Sequence, residues 1–240
     1  MVVLVIGDVV DSRQVPDQRR LLAGVADAVA DLDGARSAAA TTGDEFQAMF
    51  EHLPTAIQAV ARLRLRLLDD PPAEQPVELR VGFGCGEVIG PEPHDAGAPG
   101  QSGPGWWYAR AALDQVRQSR RAWPELRWWV DADPDETPGL MAYRSCLVAL
   151  DALASRFDEQ DVSLARGLLD GRSASELARE RDLTRQSVTE RLHEHGVYGW
   201  VRTLETLTAS PTPTETAAES SATATSPSSG TATSPSETAP

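Results

Sequence analysis

The stretch Thr41-Thr42-Gly43-Asp44-Glu45-Phe46-Gln47-Ala48-Met49-Phe50 alternates apolar Phe46, Ala48 and Phe50 with polar Glu45 and Gln47. That is the period of a half-buried strand. Residues 35–42 before it are small and partly β-branched, so the two runs pair as a hairpin. Gly43-Asp44 between them, glycine first, suits a two-residue turn of type II′. Such a turn holds the Asp44 carboxylate at the tip of a stiff ribbon, with Glu45 beside it. A second acidic group closes the first apolar run, Val2-Val3-Leu4-Val5-Ile6-Gly7-Asp8-Val9-Val10-Asp11-Ser12. If strand and hairpin are neighbours in one sheet, Asp8 and Asp44 point at one spot. Two carboxylates there offer hard oxygen ligands, the kind Mg²⁺ takes.

Composition narrows the partners. The chain has 240 residues and a formal net charge of −14, and its 22 basic residues are all arginine. An acidic chain does not coat nucleic acid or an anionic membrane by charge alone. Cys85 and Cys146 lie far apart without metal-ligand spacing, which fits two buried free thiols. The apolar N-terminal run meets Gly7 and Asp8 at once, so it reads as a buried strand rather than a signal peptide. No window reaches the ~20 apolar residues of a membrane span. A cytoplasmic protein is expected.

In chain order, strand 2–7 is apolar on both faces and therefore central. Pro16-Asp17 starts a helix with Leu21, Leu22, Val25, Ala28, Val29 and Leu32 at helical spacing. After the hairpin, Leu53-Pro54-Thr55 opens a second helix, with Ile57, Val60, Leu63 and Leu67 inward and Arg62 and Arg66 outward. A strand over 77–88 alternates Leu79, Val81 and Phe83 with Arg80, Gly82 and Gly84. Its glycines lack the lysine of a phosphate loop and indicate close backbone approach. A Gly/Pro loop over 91–105, a helix over 106–122 and a strand over 126–130 follow. The order is β-α-β-β-α-β, then α-β, and its first six elements match a ferredoxin-like α+β unit: an antiparallel sheet with helices on one face. Trp106, Trp107, Trp123, Trp128 and Trp129 are read as core or interface. The expected organisation is a sheet domain at 1–135, a linking helix within 136–157, a helical unit at 158–207 and a tail at 208–240. The tail is Ser, Thr, Pro, Ala, Glu and Gly with no Leu, Ile, Val or aromatic residue, and is expected to be disordered.

Ile-Gly-Asp-Val-Val-Asp-Ser (6–12), Thr-Gly-Asp-Glu-Phe-Gln (42–47) and Leu-Arg-Val-Gly-Phe-Gly-Cys-Gly-Glu-Val (79–88) together resemble the SatD family of bacterial proteins. The resemblance covers about residues 1–207. Its N-terminal part is similar to class III nucleotide cyclases and, more distantly, to GGDEF domains. That similarity implies metal ligation by Asp8, Asp44 and the backbone carbonyl of Val9, with Asp11, Glu45 and Arg110 assisting. Ala40 stands where such cyclases carry the lysine that reads the purine. Their Asn-x-x-x-Arg helix motif keeps only its arginine, at Arg110. Metal carboxylates without the base-reading and transition-state groups imply a binding domain rather than a cyclase.

In the helical unit, residues 161–169 form a helix stopped by Gly171. Ser173-Ala174-Ser175-Glu176 is a capping box. Ser-x-x-Glu-Leu-Ala followed by Leu-Thr-Arg-Gln-Ser-Val-x-x-x-Leu resembles the bacterial helix-turn-helix. Its small core would be Leu177, Ala178, Leu183, Val188 and Leu192. Arg185, Gln186, Ser187, Thr189 and Arg191 would face a major groove. Arg181-Asp182 replaces the usual apolar residue and glycine. The unit holds seven arginines against ten carboxylates, so a homodimer or another partner is needed for affinity. The function expected is a DNA-binding regulator whose cyclase-like domain senses a nucleotide or Mg²⁺. The alternatives are a Mg²⁺-dependent nucleotidyl- or phosphoryl-transfer enzyme, and a non-catalytic interaction protein.

Overall fold

The computed structural model describes residues 2–91, 100–135, 137 and 139–209. The tail from residue 210 and the centre of the Gly/Pro loop, 92–99, lie outside the described residues.

Five strands form one mixed sheet: β1 (Val2–Val9), β2 (Ser37–Ala40), β3 (Glu45–Phe50), β4 (Leu79–Gly86) and β5 (Trp128–Ala132), in the order β2-β3-β1-β4-β5. β1 is central, as its unbroken apolar run requires, and pairs antiparallel with both β3 and β4. β5 joins β4 in parallel. Three helices connect these strands: α1 (Gln18–Ala30), α2 (Leu53–Asp69) and α3 (Pro104–Ser119). Asp17 caps α1 by accepting from the Arg20 N–H, and Pro54 sits in the first turn of α2.

One detail differs from the sequence expectation. The hairpin turn has three residues, not two: Ala40 faces Phe46, and the Thr41 N–H donates to the Glu45 carbonyl at 2.8 Å. Thr42, Gly43 and Asp44 thus form the tip, and Gly43 takes the left-handed conformation at φ 73°. The two helices of the first six elements, α1 and α2, share one face of the sheet, and α3, which follows them, covers the other. Val3, Val5, Phe46, Phe50, Leu79 and Phe83 point to the α1/α2 side. Leu4, Ile6 and Met49 point to the other side, where Trp106, Ala109 and Leu113 of α3 cover them. The reason lies in β4. Gly82, Gly84 and Gly86 present no side chain to α3. A Cβ on Gly84 would stand 2.2 Å from the Ala109 nitrogen and the Gly105 carbonyl. The close backbone approach expected of this glycine run is met by α3, for which the run is a seat.

The remaining helices are α4 (Leu140–Ala154), α5 (Glu159–Leu169), α6 (Ala174–Glu180), α7 (Arg185–Glu194) and α8 (Val197–Thr208). α4 packs on β5 and α8, while α5 and α8 pack on α2. The apolar core therefore runs continuously from the sheet into the helical region. A buried ionic network crosses that junction. Arg64 of α2 donates to both Glu78 oxygens, at 2.8 and 2.7 Å, and to Asp151 of α4 at 3.0 Å. The other Asp151 oxygen accepts the backbone N–H groups of Arg127 and Trp128, at 2.6 and 3.0 Å. Burial nevertheless outweighs these donors and pushes Asp151 up to about 6.

The tryptophans divide. Trp128 is fully buried and Trp106 nearly so, whereas Trp107 and Trp123 are exposed; Trp129 stacks near the Arg144 guanidinium. Cys85 is a buried thiol whose burial pushes it up to about 11, and Cys146 is half-buried.

Candidate functional site

Strand alternation puts Asp8 on the α3 side of the sheet, after Leu4 and Ile6. Glu45 of β3 and Arg80 of β4 are its lateral neighbours in the register. Arg110 and Arg117 of α3 lie seven residues apart, two helical turns along one face, and both reach down to this row. Arg80 Nε donates to Asp8 Oδ1 at 2.7 Å. Arg117 donates to Oδ2 through Nε at 2.9 Å and through a terminal nitrogen at 2.5 Å. Arg110 makes a two-pronged pair with Glu45, at 2.7 and 2.6 Å. The Asp8 side chain is only 3 % exposed, and these ion pairs offset the cost of burying it.

The pairing shapes the protonation of the cations. Hydrogen bonding to Glu45 holds Arg110 above its ordinary value. Burial is the largest single influence on Arg117 and works against its charge, but the hydrogen bonds and charges of Asp8 and Asp114 together outweigh it and raise it.

The other expected residues lie around this row. Asp44, at the hairpin tip, accepts the Ser12 hydroxyl at 2.5 Å. Asp11 adopts a left-handed conformation at φ 51° and meets Arg120 at 3.3 Å. Val9 is the buried last residue of β1. Asp8 and Glu45 are thus joined in one ionic cluster, while Asp44 and Asp11 have separate partners. Both Asp8 oxygens already face guanidinium groups, so a cation would have to displace Arg80 or Arg117 to reach them. Sequence reasoning missed Arg80, Arg117, Arg120 and Ser12. The spacing of Arg110 and Arg117 on one helix face was the available signal.

The second candidate surface is built by α6, a turn and α7. Ser173 and Glu176 make the reciprocal capping box of α6, and Thr184 caps α7 by accepting the Ser187 N–H at 3.1 Å. In the turn, Asp182 takes φ 54°, so the position resembling glycine keeps a left-handed backbone without one. Leu177, Ala178, Val188 and Leu192 are buried, whereas Leu183 is 40 % exposed and does not join that small core. Arg185, Gln186 and Ser187 are exposed, and Gln186 bonds Glu190 at 2.8 Å. Thr189 is half-buried. Arg191 turns inward: Nε donates to the fully buried Asp161 at 2.7 Å, and a terminal nitrogen donates to Asp158. That bond to Arg191 lowers Asp158. His195 Nδ1 meets the other Asp161 oxygen at 2.7 Å. Arg191 therefore ties α7 to α5 and does not stand with the exposed first turn.

Fold and sites together define a mixed α/β protein: a five-stranded sheet bearing an ion-paired acidic row, continuous with a capped helical region. The model of the SatD family matches residues 2–209, and the chain belongs to that family. No curated protein matches it.

Proposed function

We propose that this chain is a cytoplasmic DNA-binding regulator. In it, a ferredoxin-like, cyclase-like sheet region supports a helix-turn-helix formed by α6 and α7. One observation carries the proposal. The first turn of α7 is capped by Thr184 and anchored beneath by Val188 and Leu192, and it presents Arg185, Gln186 and Ser187 outward. A recognition helix offers its N-terminal residues to base edges in this way. The strand order β2-β3-β1-β4 with crossover helices α1 and α2 supports the ferredoxin-like connectivity.

The inward turn of Arg191 removes one cation from the face, and Glu190 and Glu194 lie exposed further along α7. Phosphate contacts from one copy are then few, so the active species is a homodimer that doubles them. The cluster at Asp8 and Glu45 holds the sheet and α3 in a fixed relation. A nucleotide or Mg²⁺ acting as input works by exchanging with its arginines. The test is selection of sites from random duplex DNA, followed by titration at fixed salt. An enriched sequence, bound by the full chain with a dimeric footprint, supports the proposal. Failure of the full chain to enrich any sequence overturns it.

A further inference from the structure

The sheet ends in two edge strands, β2 and β5, and the chain treats them differently. Arg127 gives its carbonyl to the Val81 N–H at 2.8 Å, so by alternation Trp128, Val130 and Ala132 of β5 turn their backbone groups away from β4. Each of them is met by a side chain. Asp151 accepts the Trp128 N–H at 3.0 Å, Arg144 donates to the Val130 carbonyl at 2.9 Å, and Asp131 accepts the Ala132 N–H at 3.0 Å. A strand plugged in this way offers little to another chain. β2 carries no such plugs. The Thr41 N–H points to the Glu45 carbonyl, so Ala39 also faces β3, while Ala38 and Ala40 turn their N–H and C=O groups outward. Those outward groups have no hydrogen-bond partner among the described residues. The strand is Ser37-Ala38-Ala39-Ala40, with no charge, proline or large side chain to hold a neighbour off.

The ends of this edge indicate what pairs with it. Arg36 lies exposed at the entry to β2, and Asp44 sits on the hairpin tip beyond Ala40. We propose that β2 pairs antiparallel with β2 of a second copy across a two-fold axis, with Ala38 opposite the partner's Ala40 and Ala39 opposite the partner's Ala39. In that register the outward N–H and C=O groups of Ala38 and Ala40 in both strands are all matched. It also brings Arg36 alongside the partner's hairpin tip, where Asp44 lies, so the unlike charges at the two ends meet on both sides of the axis. Two strands this short bury far less than the ~1,200 Å² of a standard interface, so the dimer is reversible and concentration-dependent. The pairing stands on the edge itself. Only its use on DNA rests on the regulator proposal, for which it supplies the contact between copies.

Sedimentation of the full-length chain up to about 0.2 mM should show monomer passing reversibly into dimer. Ala40→Pro removes an outward N–H and no β2–β3 bond, and should raise the dimer dissociation constant at least tenfold while the thermal melt persists. Ala39→Cys sets two thiols at a non-hydrogen-bonded pair, where Cα atoms stand about 4.5 Å apart, and should give a disulfide-linked dimer with diamide as oxidant. Ala38→Cys, which faces the partner's Ala40 instead, should link at least tenfold less, and the wild type with its half-buried Cys146 is the blank. A chain that stays monomeric over that range overturns the proposal. So does a dimer that Ala40→Pro leaves unchanged, or one in which Ala38→Cys links as readily as Ala39→Cys. A dimer that forms only once residues 210–240 are removed assigns the edge to the chain's own tail and overturns it too. If Ala40→Pro does not fold, Ala39→Lys, which sets like charges face to face across the axis, takes its place. None of these readings involves DNA. A failed site selection leaves them standing, and a chain monomeric in solution that still enriches a sequence loses only this proposal.

Discussion

Arg117, two turns beyond Arg110 on α3, closes on Asp8 near the end of β1, and takes one carboxylate oxygen while Arg80 takes the other. A carboxylate held this way is neither a free base nor an open ligand. Its charge is balanced from two sides by cations that belong to a neighbouring strand and to the covering helix.

The first prediction concerns that occupation. Millimolar Mg²⁺ leaves the melting temperature of the wild-type protein within about 1 °C, because ligation must first break two charge-assisted bonds. Arg117→Ala frees Asp8 Oδ2 and gains a Mg²⁺-dependent rise in melting temperature of several degrees. Thermal melts with and without the ion measure both. A clear rise in the wild type, lost in Asp44→Ala, would instead show that Asp8 and Asp44 are open to metal.

The second concerns pH. Asp151 is raised from 3.8 to about 6, chiefly by burial. Between those values the folded state binds more protons than the unfolded state. Its contribution therefore falls as pH rises through that window, by about 3 kcal/mol for a shift of this size. Urea unfolding between pH 4 and 7 should show this component, and Asp151→Asn, which cannot ionise, should flatten it. Asp151→Ala leaves two backbone N–H groups and part of the Arg64 charge unmatched, and is expected to destabilise by about 3 kcal/mol or more at neutral pH.

The third concerns the helix seat. Gly84→Ala places a Cβ against backbone atoms of α3, which cannot rotate aside. A loss of about 3 kcal/mol is expected, with weakened Arg110–Glu45 and Arg117–Asp8 pairs because α3 must lift. Gly43→Ala meets nothing within 4 Å and costs only its positive φ, about 1 kcal/mol. Chemical denaturation of the two variants side by side gives the contrast; equal losses would refute the seat.

The fourth concerns DNA. A bidentate base contact discriminates by ~1–3 kcal/mol. Arg185→Ala should weaken binding to a selected site by about ten- to a hundredfold and leave non-specific binding less affected. Arg191→Ala should act differently, lowering stability by leaving one oxygen of buried Asp161 without its guanidinium partner rather than relaxing sequence preference. Titration at fixed salt, beside a melt of each variant, separates the two. Removing residues 210–240 should change neither, since the family match ends at 209.

Much of the sheet was legible because strand signals are local. The apolar run 2–7, the alternation at 45–50 and the glycines at 82, 84 and 86 each require one structural role. The ionic row was half legible. Asp8, Glu45 and Arg110 stood out by their positions, but Arg117 and Arg80 became partners only when α3 crossed to the face that β4 leaves bare. That crossing is a tertiary event with no local signature. Arg64 was hidden for a similar reason. In Arg62-Leu63-Arg64-Leu65-Arg66 an arginine looks solvated, and only the arrival of Asp151 and Glu78 makes a buried one tolerable. Leu183 went the other way: it fits the helix-turn-helix pattern as a core residue, yet it remains exposed.

The double service of α2 has a consequence for how the gene can be cut. One side of this helix roofs the sheet, while its Arg62 reaches the Leu169 carbonyl and Asp170, and Asp69 beyond it pairs with Arg166. A fragment beginning at Asp158 would retain every residue of the α6–α7 turn and lose the surface on which α5 and α8 lie. The segment is thus not a portable cassette. Transplanted onto another protein it would carry the exposed first turn of α7 but leave its foundation behind, so fusions and truncations should be drawn outside residues 2–208.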